Sequence, residues 1–295
     1  MTAHFWIKDV WSTKLELTSD YSVHTVQGLG LLEPQYTMRA GPQQQGVSII
    51  NARHGARFIT FNYSLVSADR ATRWTDRTEL PDMLANLEED AVFGITYDDA
   101  TERQLDVRFA GGLTLPYDAK NGPRLTRDVC ILIARNPYWY NPIPVIYPYA
   151  VGGGSGSYEF PLTFPIDFGA STIDASETKR YNGTAPEYPV IEITGPAANL
   201  VITNESTGDK LDFTGHTINA SEVVTINLAA GYKTVTSSTS NTDIADLTSD
   251  SDLITWHMAP ESEVINGDNV IHVECSAATG STKIVFTLYE RYLAI

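Results

Sequence analysis

The chain has 295 residues, 42% hydrophobic and 10% aromatic, which allows one large domain or two ordinary ones with full cores and excludes global disorder. Its formal charge is −16, unevenly spread: residues 1–150 hold 14 Lys and Arg against 17 Asp and Glu, and residues 151–295 hold 6 against 19. So acidic a second half repels phosphate backbones, which argues against nucleic acid as a partner. The cysteines, Cys130 and Cys275, are too few for a disulfide framework and lie in apolar strand-like runs, so they read as buried thiols. No apolar run approaches the roughly 20 residues of a membrane span. The start, "MTAHFWIKDVWSTK", lacks the apolar stretch of a signal peptide, so the sequence predicts a soluble chain made in a reducing compartment or assembled in a way that bypasses ordinary secretion.

The first half mixes strands with one helix. In "FITFNYSL", Ile59, Phe61, Tyr63 and Leu65 alternate with Thr60, Asn62 and Ser64, the period of a half-buried strand. In "ELPDMLANLEED", Leu80, Met83, Leu84 and Leu87 make an apolar helical stripe. Pro81 suits a first turn, and Glu88, Glu89 and Asp90 oppose extension at the far end, so the spacing predicts a short helix there. "AVFGITY" and "RQLDVRF" flank "DDATE" as a hairpin, with Leu105, Val107 and Phe109 alternating, and "DVCILIA" is a continuous apolar strand.

At residues 134–157 the pattern changes. "ARNPYWYNPIPVIYPYA" is stiff and aromatic, with prolines at 137, 142, 144 and 148 that remove backbone donors. Gly152, Gly153, Gly154 and Gly156 follow in "VGGGSGS" and give free rotation. The pair predicts a seam, with a first domain over 1–140, a linker over 141–157 and a second domain over 158–295. Pro137, Tyr138, Trp139 and Tyr140 mark its stiff side, and the aromatics there need burial. Beyond it the chain reads as all-β. "VIEIT", "LVITN", "KLDF", "VVTINL", "VIHVEC" and "KIVFTLY" are short alternating runs between turn residues, including "NESTGD" and "INGDN". Such spacing predicts an antiparallel β-sandwich or jelly roll. "STSNTDIADLTSDSD" reads as a solvated acidic loop.

Chemistry-bearing motifs are scarce. None of the six histidines has His-x-x-x-His or His-Glu-x-x-His spacing, and the cysteines are far apart, so no zinc site is predicted. The loop 243–252 offers carboxylates for calcium but lacks the order and turn glycine of a calcium loop. "GLG" at 28–30 has Glu33 where a dinucleotide fingerprint needs its third glycine, and "GGGSGS" lacks the Gly-Lys ending of a phosphate cradle. No Gly-x-Ser-x-Gly is present, and paired carboxylates for glycoside cleavage are set only in three dimensions. Trp256, in "LITWHM", reads as core or as a platform for sugar stacking. The sequence thus predicts no enzyme and no cofactor, and the sandwich with its aromatics keeps a carbohydrate-binding module or adhesin as the alternative function.

The order of strand "RFITFNYSL", helix "LPDMLANLEED", hairpin "VFGITYDDATERQLDVRF", strand "RDVCILIA" and then "RNPYWY" resembles the distal tail proteins (Dit) of long-tailed bacteriophages. In that family the first domain closes with an Asp-Pro-aromatic-aromatic signature. Here Asn136, Pro137, Tyr138, Trp139 and Tyr140 match it, with Asn136 replacing the acid. "YNGTAPEYPVIEITGPAANLVITNESTG" resembles the family's entry into its second domain. "INGDNVIHVECSAATGSTKIVFTLYERYLAI" resembles its closing hairpin, with Gly267, Asn269, Arg291 and Tyr292 in place and Asn266 where proline is usual. The likeness runs from about residue 50 to the end.

The resemblance implies a mainly β chain: an N-terminal α+β, split-barrel-like ring domain with one short helix, and a C-terminal galectin-like or carbohydrate-binding-module-like sandwich. It implies a hexameric ring at the virion tail tip, synthesised in the host bacterial cytoplasm. The implied partners are other copies of the chain, the tail tube protein, the tail-associated hub protein and receptor-binding proteins. The near-neutral first half suits self-contact, and the hairpin with Leu105, Val107 and Phe109 is the expected ring-interface edge.

Overall fold

The computed structural model describes residues 3–17, 21–67, 72–115, 125–149 and 171–295. The chain divides into two compact units, Met1–Pro142 with Tyr292–Ile295, and Ile143–Arg291.

In the first unit the elements are β1 (Ala3–Lys8), β2 (Lys14–Glu16), β3 (Tyr21–Gln27), β4 (Pro34–Arg39), β5 (Ser48–His54), β6 (Arg57–Val66), α1 (Arg73–Met83), β7 (Ala91–Tyr97), β8 (Glu102–Gly112), β9 (Leu125–Ala134) and β10 (Trp139–Tyr140). One sheet follows the order β2-β1-β7-β8-β9-β6-β3, with β10 attached to β8. β4 and β5 form a separate two-stranded hairpin. Alternation decides which side chains enter the core: Ile59, Phe61, Tyr63 and Leu65 of β6 are buried, while Phe58 and Val66 face out. Gly94 of β7 lies against the Trp6 indole, where a Cβ would come within 2.1 Å of the ring. The buried indole donates to Thr96 Oγ1 at 3.0 Å.

The helix differs from the sequence expectation. It spans Arg73–Met83, so Pro81 lies in its last turn rather than its first. Leu80 and Leu84 are buried as the stripe requires, but Leu87 is past the helix end and exposed. Most of α1 precedes the stripe, and its polar turns offered no periodicity to detect. Asn86 marks the stop: its Oδ1 accepts from the N–H groups of Glu88 and Glu89 at 2.9 and 3.2 Å.

The second unit holds β11 (Val145–Tyr149), β12 (Ser171–Arg180), β13 (Val190–Thr194), β14 (Ala197–Asn204), β15 (Asp209–Asp212), β16 (Thr217–Ile218), β17 (Val223–Asn227), β18 (Thr234–Ser237), β19 (Asp268–Ala278) and β20 (Lys283–Leu288). Two antiparallel sheets, β11-β20-β13-β17-β18 and β12-β19-β14-β15, with β16 on β14, contribute to one apolar core. Ile191, Val224 and Phe286 enter it from the first sheet and Ile202, Leu211 and Val273 from the second.

The stretch 141–157 is not all linker. Residues 145–149 form β11, paired with β20 from Val145↔Leu288 to Tyr149↔Ile284. Pro148 is tolerated because β11 is an edge strand, where a missing N–H breaks no second ladder. The glycines at 152, 153, 154 and 156 lie outside the described residues. At the other end, Tyr292–Ile295 belong to the first unit, not the second. Among the described residues no helix is long and apolar enough to cross a membrane.

Candidate functional site

The aromatic signature after β9 is organised by a buried cation. Arg57, at the head of β6, is fully buried. Its Nε donates to the Pro137 carbonyl at 2.6 Å, Nη1 to Gly28 and Gly30 at 2.5 and 2.7 Å, and Nη2 to Leu293 at 2.7 Å. Its guanidinium carbon lies 5.8 Å from the centre of the Trp139 ring. Burial lowers its pKa to about 10, so it remains cationic at neutral pH. Gly28, with φ +93°, fits because a Cβ there would lie 2.0 Å from the Phe58 carbonyl oxygen. Five donors in a rigid fork let one arginine join three backbone segments through four carbonyls. An arginine opening a strand looks solvent-facing in sequence, so this role had no signal.

The signature residues separate by role. Trp139 is buried in the first unit's core. The Tyr138 hydroxyl lies 3.1 Å from His54 Nδ1, and the Tyr140 hydroxyl donates to Asp106 at 2.7 Å. Asn136 Oδ1 accepts from the Tyr138 N–H at 3.3 Å, as a carboxylate there would.

Two expected sites are corrected. Leu105 and Val107 are fully buried in the core of their own unit, and β7 and β8 occupy the middle of the sheet, so neither offers an edge to a neighbour. Phe109 packs partly buried on the same core. Trp256 is fully buried and stacks on Phe286 with centroids 6.0 Å apart, so it cannot serve as an exposed sugar platform. Alternation at Leu105, Val107 and Phe109 does not by itself say whether the interior those side chains face is the chain's own.

Solvent-facing apolar side chains collect elsewhere. Every residue of β4 is exposed and so is β5 as far as Arg53. Tyr36, Met38, Val47, Ile49 and Ile50 are 48 to 62% accessible. The hairpin's span, residues 34–54, holds Arg39 and Arg53 and no acid. A hollow in the same unit is lined by Asp9, Asp76, Glu79 and Asp82.

The acidic loop of the second unit is held by hydrogen bonds. Asp243 accepts from the Ala245 N–H at 2.7 Å, Asp250 from Lys210 Nζ at 2.5 Å, and Asp252 from the Lys210 N–H at 3.0 Å. Nearby, the buried Glu222 accepts from Ser237 Oγ, the Asn219 N–H, Thr242 Oγ1 and Asn241 Nδ2 at 2.6, 2.9, 2.7 and 3.1 Å. Burial raises its pKa, but these donors outweigh that and bring it to about 2.

No protein-family model matches the chain, and no curated protein does. Solved structures do. The Dit protein of phage SPP1, described as a paradigm of the hub adsorption apparatus in phages infecting Gram-positive bacteria, is similar with a TM-score of 0.63 at 16% identity, over 97% of this chain and 98% of that one. The phage P2 baseplate in its activated conformation with Ca contains a chain similar at 0.51 and 10% identity, with 100% of both chains covered. The fold is therefore that of phage baseplate proteins. More particularly, it is a Dit-like fold, which agrees with the resemblance carried by the sequence motifs.

Proposed function

We propose that this chain is a structural subunit of a phage tail tip, forming a hexameric ring that joins the tail tube to the tail-associated hub and carries the host-adsorption apparatus. The observation that carries this reading is the Dit-like fold over 97% of the chain. The first unit would be the ring-forming, split-barrel-like domain and the second a galectin-like sandwich at the periphery. The role is architectural rather than enzymatic.

The ring contact is assigned to the β4–β5 hairpin in place of the buried hairpin expected from sequence. An isolated two-stranded hairpin is marginal in water without something to pack on. This one carries exposed Ile49 and Ile50 and two uncompensated arginines. A head-to-tail contact needs two different, complementary patches, and the hollow lined by Asp9, Asp76, Glu79 and Asp82 has the opposite charge. Electron micrographs of the purified chain test the reading. Closed rings of six subunits are expected, and separate single-chain particles at high concentration would count against it.

A further inference from the structure

The outward face of the second unit's β12-β19-β14 sheet carries a group of side chains that the tail-tip reading does not use. Ile271, Val273 and Cys275 of β19 point into the core, which turns His272 and Glu274 outward. Asp174 is the cross-strand partner of Glu274, and Ser176 of His272. His272 Nε2 lies 2.9 Å from a Glu274 oxygen and 3.4 Å from an Asp174 oxygen. The other ring nitrogen, Nδ1, is 2.8 Å from Ser176 Oγ and 3.9 Å from Glu205. Among the described residues, the ion pairs made by these three carboxylates are all with His272.

We propose that His272, Glu274 and Asp174 bind a divalent transition-metal ion of the zinc class. The ligand atoms of the three all lie within 4.8 Å of one another. Bonds of about 2.1 Å to one ion set neighbouring ligand atoms roughly 3.0–3.4 Å apart at octahedral or tetrahedral angles, and the two measured separations from Nε2 are 2.9 and 3.4 Å. Ser176 supplies the orienting contact that metal-bound imidazoles need: with Nδ1–H donating to its hydroxyl, the Nε2 lone pair faces two carboxylate oxygens. In that tautomer a cation between them offsets the repulsion of a lone pair and two anions, whereas in the other Nε2–H donates to Glu274 at 2.9 Å. The imidazole nitrogen selects a zinc-class ion over calcium, which takes oxygen ligands. Three protein ligands leave room for water or for a donor from another molecule. β12 is an edge strand, so the ion would pin it to β19. The zinc spacings sought in sequence are helical or loop patterns. Here the signal is His-x-Glu on a strand, completed by an acid 98 residues earlier.

The test titrates Zn2+ into the chelator-stripped full chain by calorimetry, with metal content read by mass spectrometry. One tight site is expected. His272→Gln, Asp174→Asn and Glu274→Gln are each expected to weaken it at least about tenfold, and Ser176→Ala by about tenfold. Zinc should raise the melting temperature of the wild type and not of His272→Gln. Absence of zinc binding by the wild type would overturn the proposal, leaving His272 Nε2 hydrogen-bonded to Glu274 at 2.9 Å. Unchanged binding by His272→Gln would also overturn it and place the ion at another histidine, such as His257 between Asp209 and Glu263. Should a variant fail to fold, Co2+ added to the wild type decides. Paramagnetic shifts are expected at the His272 ring protons, and shifts confined to other histidines contradict the proposal.

Discussion

Three side chains carry interactions that single substitutions can test. The buried Arg57 donates to four backbone carbonyls of the first unit. Replacing it with methionine removes all four bonds and leaves the carbonyl of the buried Pro137 without this donor, and a loss of about 1–3 kcal/mol is expected in urea unfolding. Arg57→Lys should recover only part of this, because an ammonium cannot span the fork. Gly94→Ala puts a methyl into the Trp6 ring, and overpacking of this kind costs about 1–3 kcal/mol; differential scanning calorimetry should show a lower melting temperature. Glu222 has a folded pKa of about 2 against an ordinary 4.5. Its stabilising contribution is therefore complete above 4.5 and lost as pH falls toward about 2. In Glu222→Gln that part of the acid-induced fall in melting temperature should disappear, and the variant should start less stable at neutral pH.

Among the elements, the β4–β5 hairpin is the clearest target. Ile49 and Ile50 are 59% and 62% exposed, so Ile49→Asp with Ile50→Asp should change unfolding by less than about 0.5 kcal/mol while lowering the assembled mass in size-exclusion chromatography. Smaller assemblies at higher salt are expected as well, because the proposed contact pairs basic and acidic patches. Leu105→Asp or Val107→Asp would instead unfold the unit. Strands legible in sequence include β13, β17 and β20, which alternate, and β9, which is a continuous apolar run. β4 and β5 gave no such signal because neither of their faces is buried. β12 escaped for a related reason: "STIDASETKR" is polar, and Ile173 is its one deeply buried large apolar side chain. The helix was placed late because the stripe Leu80, Met83, Leu84 belongs to its end. Trp256 read first as core, with a sugar platform as the alternative, and the structure buries it completely. The candidate metal group was invisible because β12 brings Asp174 to β19 from far away in sequence.

Over the entire chain, two units with separate cores are arranged along a sequence whose charge lies in its second half. The fold matches phage Dit and baseplate chains end to end, while identity falls to 16% and 10%. In this chain the Pro-aromatic closure, Pro137 and Trp139, is held by Arg57. Single-sequence reading reached the resemblance through the order and spacing of several motifs along the chain, though the arginine securing the Pro-aromatic closure was not recognised. The central claim is that the first unit exists to contact copies of itself. The most direct test is multi-angle light scattering of the purified chain across a concentration series. The account predicts a species of six times the 32.4 kDa chain mass that shrinks in the Ile49→Asp, Ile50→Asp variant. A wild-type chain that stays at the single-chain mass throughout the series would contradict it.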